Sequence, residues 1–114
     1  MRTYKSIPQN IVALLQALQD GPVVVAHHVS SQLKFYSKGV FSGDGCEGKP
    51  VNHASLIIGY DLDDENPYFR LKNAWGTKWG QEGYYKIAIG EIGYDKKGIC
   101  SIAGTPFNVQ PVLK

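Results

Sequence analysis

VNHASLIIGYDLDDENPYFRLKNAWGTKWG, residues 51–80, is the stretch whose pattern decides how this chain folds. Two apolar runs, residues 55–60 and 68–73, flank an acidic segment, residues 61–67, that ends in proline. Short apolar runs around polar turn residues predict an antiparallel hairpin. The first run is apolar on both faces, which predicts a central strand. The second alternates: Phe69, Leu71 and Asn73 share one face, while Tyr68, Arg70 and Lys72 share the other. Folding about Asp63 sets His53 directly across from Asn73. An amide closing an apolar face needs a partner, because leaving it buried and unsatisfied costs about 1–3 kcal/mol. His53 is the nearest candidate, and a slip of one residue would break the pairing. A histidine held by an amide is half of a catalytic constellation.

Working outward, residues 6–21 carry the strong helix signal. Ile11, Leu14, Leu15 and Leu18 form one apolar stripe, Ser6 and Gln9 suit a capping box, and Gly21-Pro22 ends the run. Residues 23–29, VVVAHHV, read as a buried strand that loses its apolar character at His27 and His28. Neighbouring strand residues face opposite sides, so these two histidines cannot both serve one site, and both are expected to be structural or solvent-facing. Residues 32–41 suit a turn or short helix before a glycine-rich loop, residues 83–89 a further alternating strand, and residues 98–102 a short last strand. Pro106 and Pro111 predict an extended, edge-like tail. One helix followed by antiparallel strands is an α+β fold with a twisted or barrel-like sheet.

Composition narrows the class without naming a function. At 114 residues, 43% hydrophobic and 19% charged, the chain fits one globular domain. A net charge of +2 with scattered lysines gives no reason to expect nucleic acid or an anionic membrane as partner. No apolar run approaches the roughly 20 residues that span a bilayer, and the first ten residues lack a signal-peptide core. No metal or cofactor is expected, because His27, His28 and His53 lack ligand spacing. Cys46 and Cys100 lie in glycine-bearing turns, GDGCEG and KKGICS, and from spacing alone are either two buried thiols or one disulfide. Trp75 and Trp79, each followed by glycine, come directly after Asn73. Indoles beside a polar pair exclude water, although core packing explains them equally well.

In order, the runs GPVVVA, FYSKGVF, VNHA, YFRLKNAWGTKWGQEGYY and GIC closely resemble the C-terminal half of papain-like cysteine peptidases, including cathepsin L-type enzymes. The likeness extends from about Tyr4 to Phe107. It implies that residues 1–114 form the C-terminal, β-rich lobe of a two-lobed enzyme whose N-terminal lobe is absent from this chain. It also implies a Cys-His-Asn version of the catalytic triad, with His53 as general base and Asn73 orienting its ring. Trp75 would shield that pair and Trp79 would border the leaving-group side. Ala26, Val51 and Thr105 would wall the main specificity pocket, and the Asn52 carbonyl would accept a hydrogen bond from a peptide or protein substrate. Cys46 and Cys100 match the family's disulfide. The setting implied is lysosomal, vacuolar or secreted.

Two departures stand out. Ala74 replaces the family's usual serine, and nothing in the chain resembles the helix that bears the nucleophilic cysteine or the oxyanion-hole glutamine. The expected function is therefore half of a cysteine endopeptidase, needing a partner chain or half for the thiolate. The competing expectation is a non-catalytic scaffold or binding module that retains the lobe.

Overall fold

The computed structural model describes residues 2–73, 78–104 and 109–113, with side-chain packing described for residues 6–73 and 78–104. Seven strands and two helices are described: β1 (Arg2–Ser6), α1 (Ile11–Leu18), β2 (Val23–His27), α2 (Ser31–Lys34), β3 (Val40–Phe41), β4 (His53–Asp61), β5 (Tyr68–Lys72), β6 (Tyr84–Ala88) and β7 (Val109–Leu113). The strands form one sheet in the order β1-β7-β2-β4-β5-β6-β3. All pairings are antiparallel except the short parallel contact of β3 with β6. The fold is α+β, as expected, with the 55–60 run inside the central strand β4.

Helix α1 turns Ile11 and Leu14 fully inward and packs against β2 and β4. Its cap differs from the expected Ser6–Gln9 box. Asn10 is the N-cap, its Oδ1 accepting from Ala13 N at 2.8 Å. Ser6 is instead committed to β1, a strand whose existence the periodicity did not reveal. The core is completed by Val23, Val25, Leu33, Ile57, Phe69, Leu71, Tyr85, Ile87 and Ile102.

Three expectations are corrected. Residues 99–101 form a 3-10 turn rather than a strand, with Cys100 and Ser101 both at positive φ, a conformation incompatible with a pleated run. The tail is not an edge: β7 lies between β1 and β2. Pro111 is tolerated there because β2 meets β7 only at Val109, leaving the far side of Pro111 without a ladder. Pro106 lies outside the described residues.

The hairpin register is the third. Leu56 pairs with Lys72 and Ile57 with Leu71, and after a bulge Gly59 pairs with Arg70. Leu56 and Lys72 are equidistant from Asp64, not Asp63, so Ser55 rather than His53 falls across from Asn73. Asp61 causes the offset by accepting from Asp63 N and Asp64 N, which closes a side-chain turn at the start of the loop. A shift of two residues leaves every side chain on its own face. His53 and Asn73 therefore become diagonal neighbours on one side of the sheet.

Candidate active site

Strand β4 begins at His53, and the start is pinned from both sides. Asn52 N donates to His27 O at 3.2 Å. The Asn52 side chain accepts from Val29 N at 2.7 Å and donates to Val29 O at 3.3 Å. Across the other strand, Asn73 N donates to Gly83 O at 2.9 Å, which fixes the end of β5 against the approach to β6. These anchors bring His53 Nε2 to 3.0 Å from Asn73 Oδ1. An amide oxygen only accepts, so Nε2–H donates and the lone pair of the neutral ring sits on Nδ1. Asn73 is 8% exposed, and Phe69 and Leu71 on the same face are fully buried. The hydrogen bond is thus shielded on its inner side, where it is strengthened by the apolar surroundings.

Behind this pair lies a second polar group. His27 pairs with His53 across β2 and β4, and the two rings meet edge to face with centroids 5.6 Å apart. His27 is completely buried. Its Nδ1 is 3.0 Å from the His28 carbonyl and its Nε2 is 2.7 Å from the Tyr85 hydroxyl. The carbonyl can only accept, so Nδ1 carries the proton and Tyr85 donates to Nε2. Burial lowers the pKa of His27 to about 4, while the His28 carbonyl pulls the other way and the facing His53 adds to the lowering. Burial likewise pushes the Tyr85 phenol up, opposed by a hydrogen bond with Ser55. Ser55 Oγ in turn donates to Lys72 O at 2.9 Å, tying the group to β5.

Aromatic contacts extend this floor. Tyr85 meets His27 at 5.8 Å and Trp79 at 5.2 Å, and Tyr36 lies 5.7 Å from Trp79. Trp79 Nε1–H donates to Lys34 O at 3.0 Å, anchoring the ring to α2. Gly80 makes the close approach possible. Its φ is +60°, and a Cβ there would meet Tyr84 O at 2.7 Å.

Cys46 and Cys100 are joined as a disulfide. The bridge lies beside the histidine strand: Cys46 Sγ is 3.5 Å from His28 O, and His28 N donates to Cys100 O at 2.9 Å. Ala26, Val51, Asn52, His53 and Ala54 line a shallow depression of about 250 Å3. A larger hollow of about 560 Å3 lies over Tyr68, Arg70 and Tyr84, away from His53. Trp75 and Thr105, expected at the site, lie outside the described residues. Among the described residues no cluster of His, Cys, Asp or Glu is suited to a metal ion.

The structure thus brings His53, Asn73, Ala26, Val51 and Asn52 to one end of the β2–β4–β5 segment, with Trp79 joined to that end through Tyr85 and His27. His28 points away and donates from Nδ1 to Pro50 O at 2.7 Å. Of the two roles expected for His27, structural or solvent-facing, the buried and hydrogen-bonded ring has the first, and the sequence held a sign of this: Val23, Val25 and His27 alternate onto one buried face. Tyr85 shares the inward face of β6 with Ile87 and was equally legible by alternation.

A sequence profile described as papain family cysteine protease matches residues 1–109. A thiol protease aleurain-like protein of Arabidopsis thaliana is 43% identical over 84 residues, covering 72% of this chain and 22% of its own length. Procathepsin L of Mus musculus is 37% identical over 106 residues, 88% of this chain and 30% of its own. The structure of bromelain from Ananas comosus, solved with the E64 inhibitor, superposes with a TM-score of 0.84 at 33% identity, covering 97% of this chain and 50% of bromelain. The chain therefore spans less than a third of those two curated relatives and half of the bromelain chain. It corresponds to the C-terminal part of their shared domain, and it belongs to the papain family of cysteine proteases.

Proposed function

We propose that this chain supplies the general base and its orienting amide to a nucleophilic cysteine carried by another half or chain, together forming a cysteine endopeptidase. The observation that carries this reading is the 3.0 Å hydrogen bond from His53 Nε2–H to Asn73 Oδ1. It holds the ring in the tautomer whose Nδ1 can take a proton from a thiol. Both cysteines of this chain are committed to the disulfide, so the thiolate must come from elsewhere.

In the proposed cycle the thiol proton passes to His53 Nδ1. The thiolate attacks the peptide carbonyl carbon, forming a C–S bond. The amine then leaves with the proton returned by His53, breaking the C–N bond. Water activated by His53 next hydrolyses the thioester, releasing the acid and restoring the thiol. Asn73 keeps the imidazolium in plane, and the apolar depression at Ala26 and Val51 suits a mid-sized apolar substrate side chain. The buried disulfide fits an oxidising setting, in keeping with a lysosomal, vacuolar or secreted location.

The test is reconstitution of this chain with the cysteine-bearing half of a papain-family enzyme, followed by hydrolysis of a fluorogenic peptide. The chain alone is expected to be inert and the assembled pair active, with activity abolished by His53→Ala. A stable but inert pair would favour the scaffold reading. Turnover by the highly purified chain alone would contradict the split of the catalytic groups.

A further inference from the structure

His27 is a titratable group that packs directly on His53 and that the peptidase cycle does not use. We propose that His27 is a positioning residue for His53: a second imidazole, held neutral as its Nδ1–H tautomer, whose ring braces the base from behind and leaves the positive charge of the site to His53 alone. This rests on the reading of His53 as the general base.

The geometry is built from four elements. Register sets His27 and His53 opposite each other on β2 and β4, with rings edge to face at 5.6 Å. That arrangement is the favourable one for two aromatic rings, and it resists rotation of His53 about its side-chain bonds. His27 itself cannot turn. The His28 carbonyl accepts from its Nδ1–H, the Tyr85 hydroxyl on β6 donates to its Nε2, and the Asn52 amide locks the strand end immediately beyond it. His28 is held in turn by the two turns that the disulfide joins: its N–H donates to Cys100 O, and Cys46 Sγ abuts its carbonyl oxygen. A disulfide sulfur has no hydrogen to donate, so the latter is a packing contact.

Neutrality matters because His53 must carry a full charge when it holds the thiol proton. A cation one ring away would oppose that state. The described titratable groups that face His27 are His28 beside it on the chain, His53 on β4 and Tyr85 on β6, with Tyr36 beyond Tyr85. No carboxylate is among them to stabilise a charged His27, and its burial holds it uncharged down to about pH 4.

The experiment is a histidine-labelled NMR titration of the chain, comparing the unsubstituted protein with His27→Leu and His27→Phe. The expected result is that His27 keeps its Nδ1–H signature through the pH range in which an ordinary imidazole becomes charged. In His27→Leu the His53 Nε2–H should exchange with water about tenfold faster, because the facing ring that restrains it is gone. His27→Phe, which restores a ring without nitrogens, should recover part of that protection. A purely structural role would move both variants alike, as both remove the hydrogen bond between His27 and the Tyr85 hydroxyl. Protonation of His27 near the ordinary imidazole value of about 6.5 would overturn the proposal, as would equal His53 exchange in folded His27→Leu and the unsubstituted chain. If His27→Leu does not fold, equal exchange in His27→Phe and the unsubstituted chain supports the proposal, and loss of protection despite the restored ring overturns it. The readout needs no turnover, so an inert reconstituted peptidase would overturn the proposed function separately.

Discussion

His53 and Asn73 meet as diagonal neighbours across β4 and β5, their side chains hydrogen-bonded at 3.0 Å although their backbones are not paired. The contact depends on the hairpin bulge and on the two anchored strand ends. The orientation of the base is therefore a property of the sheet and not of a flexible loop.

Replacing Asn73 by alanine should leave the fold intact and remove the acceptor for His53 Nε2–H. A hydrogen bond that gains charge in the reaction contributes about 1.5–3 kcal/mol, so kcat/KM of the assembled enzyme should fall roughly ten- to a hundredfold. Steady-state hydrolysis of a fluorogenic peptide checks this. An unchanged kcat/KM would mean that the base is oriented by other groups.

Stability should fall with acid, and His27 sets the window. Its pKa is about 4 in the folded chain against an ordinary value of 6.5. Between those values the unfolded chain binds a proton that the folded chain refuses. The stabilisation is full above about pH 6.5, is lost as pH falls towards 4, and changes no further below that. The loss attributable to this residue is roughly 3 kcal/mol. Urea midpoints at pH 7.5 and 4.5 should differ much less in His27→Leu than in the unsubstituted chain.

The Cys46–Cys100 bridge spans a sequence separation of 54 residues. In the chain-entropy account closing such a loop contributes roughly 4 kcal/mol. Replacing both cysteines by alanine should lower the urea midpoint accordingly and loosen the His28 carbonyl that fixes His27. Equal stability of the reduced and oxidised chains would contradict this.

Gly80→Ala should destabilise the aromatic floor. The residue has a φ of +60°, and its new Cβ would press on the Tyr84 carbonyl oxygen. The expected cost is about 1–3 kcal/mol, with the near-UV signal of Trp79 changed because Tyr36 also packs there. Unaltered melting would show that the turn has a second accessible shape.

Alternation alone placed Phe69, Leu71 and Asn73 on one buried face, and the apolar stripe placed Ile11 and Leu14 inward. Register was less legible. It depends on the side-chain turn at Asp61 and on the bulge beyond Ile57, local hydrogen-bond choices that hydrophobic spacing does not encode. The observed register is offset by two residues from the midpoint at Asp63, which preserves the face and keeps His53 within reach of Asn73. The 3-10 turn at Cys100 was hidden because positive φ at a non-glycine residue is sustained by its surroundings, here the disulfide and the His28 contact. The partnership of His27 with Tyr85 joins strands far apart in sequence, and no local pattern announces such a pair.

The most direct measurement is the pH dependence of iodoacetamide alkylation of the nucleophilic cysteine in the reconstituted enzyme. With His53 present, the rate should stay high well below the ordinary thiol pKa of about 8.5, because the thiolate is paired with a histidinium. In the enzyme assembled with His53→Ala the low-pH limb should vanish and the ordinary thiol curve return. Identical curves for the two would contradict the assignment of His53 as the base.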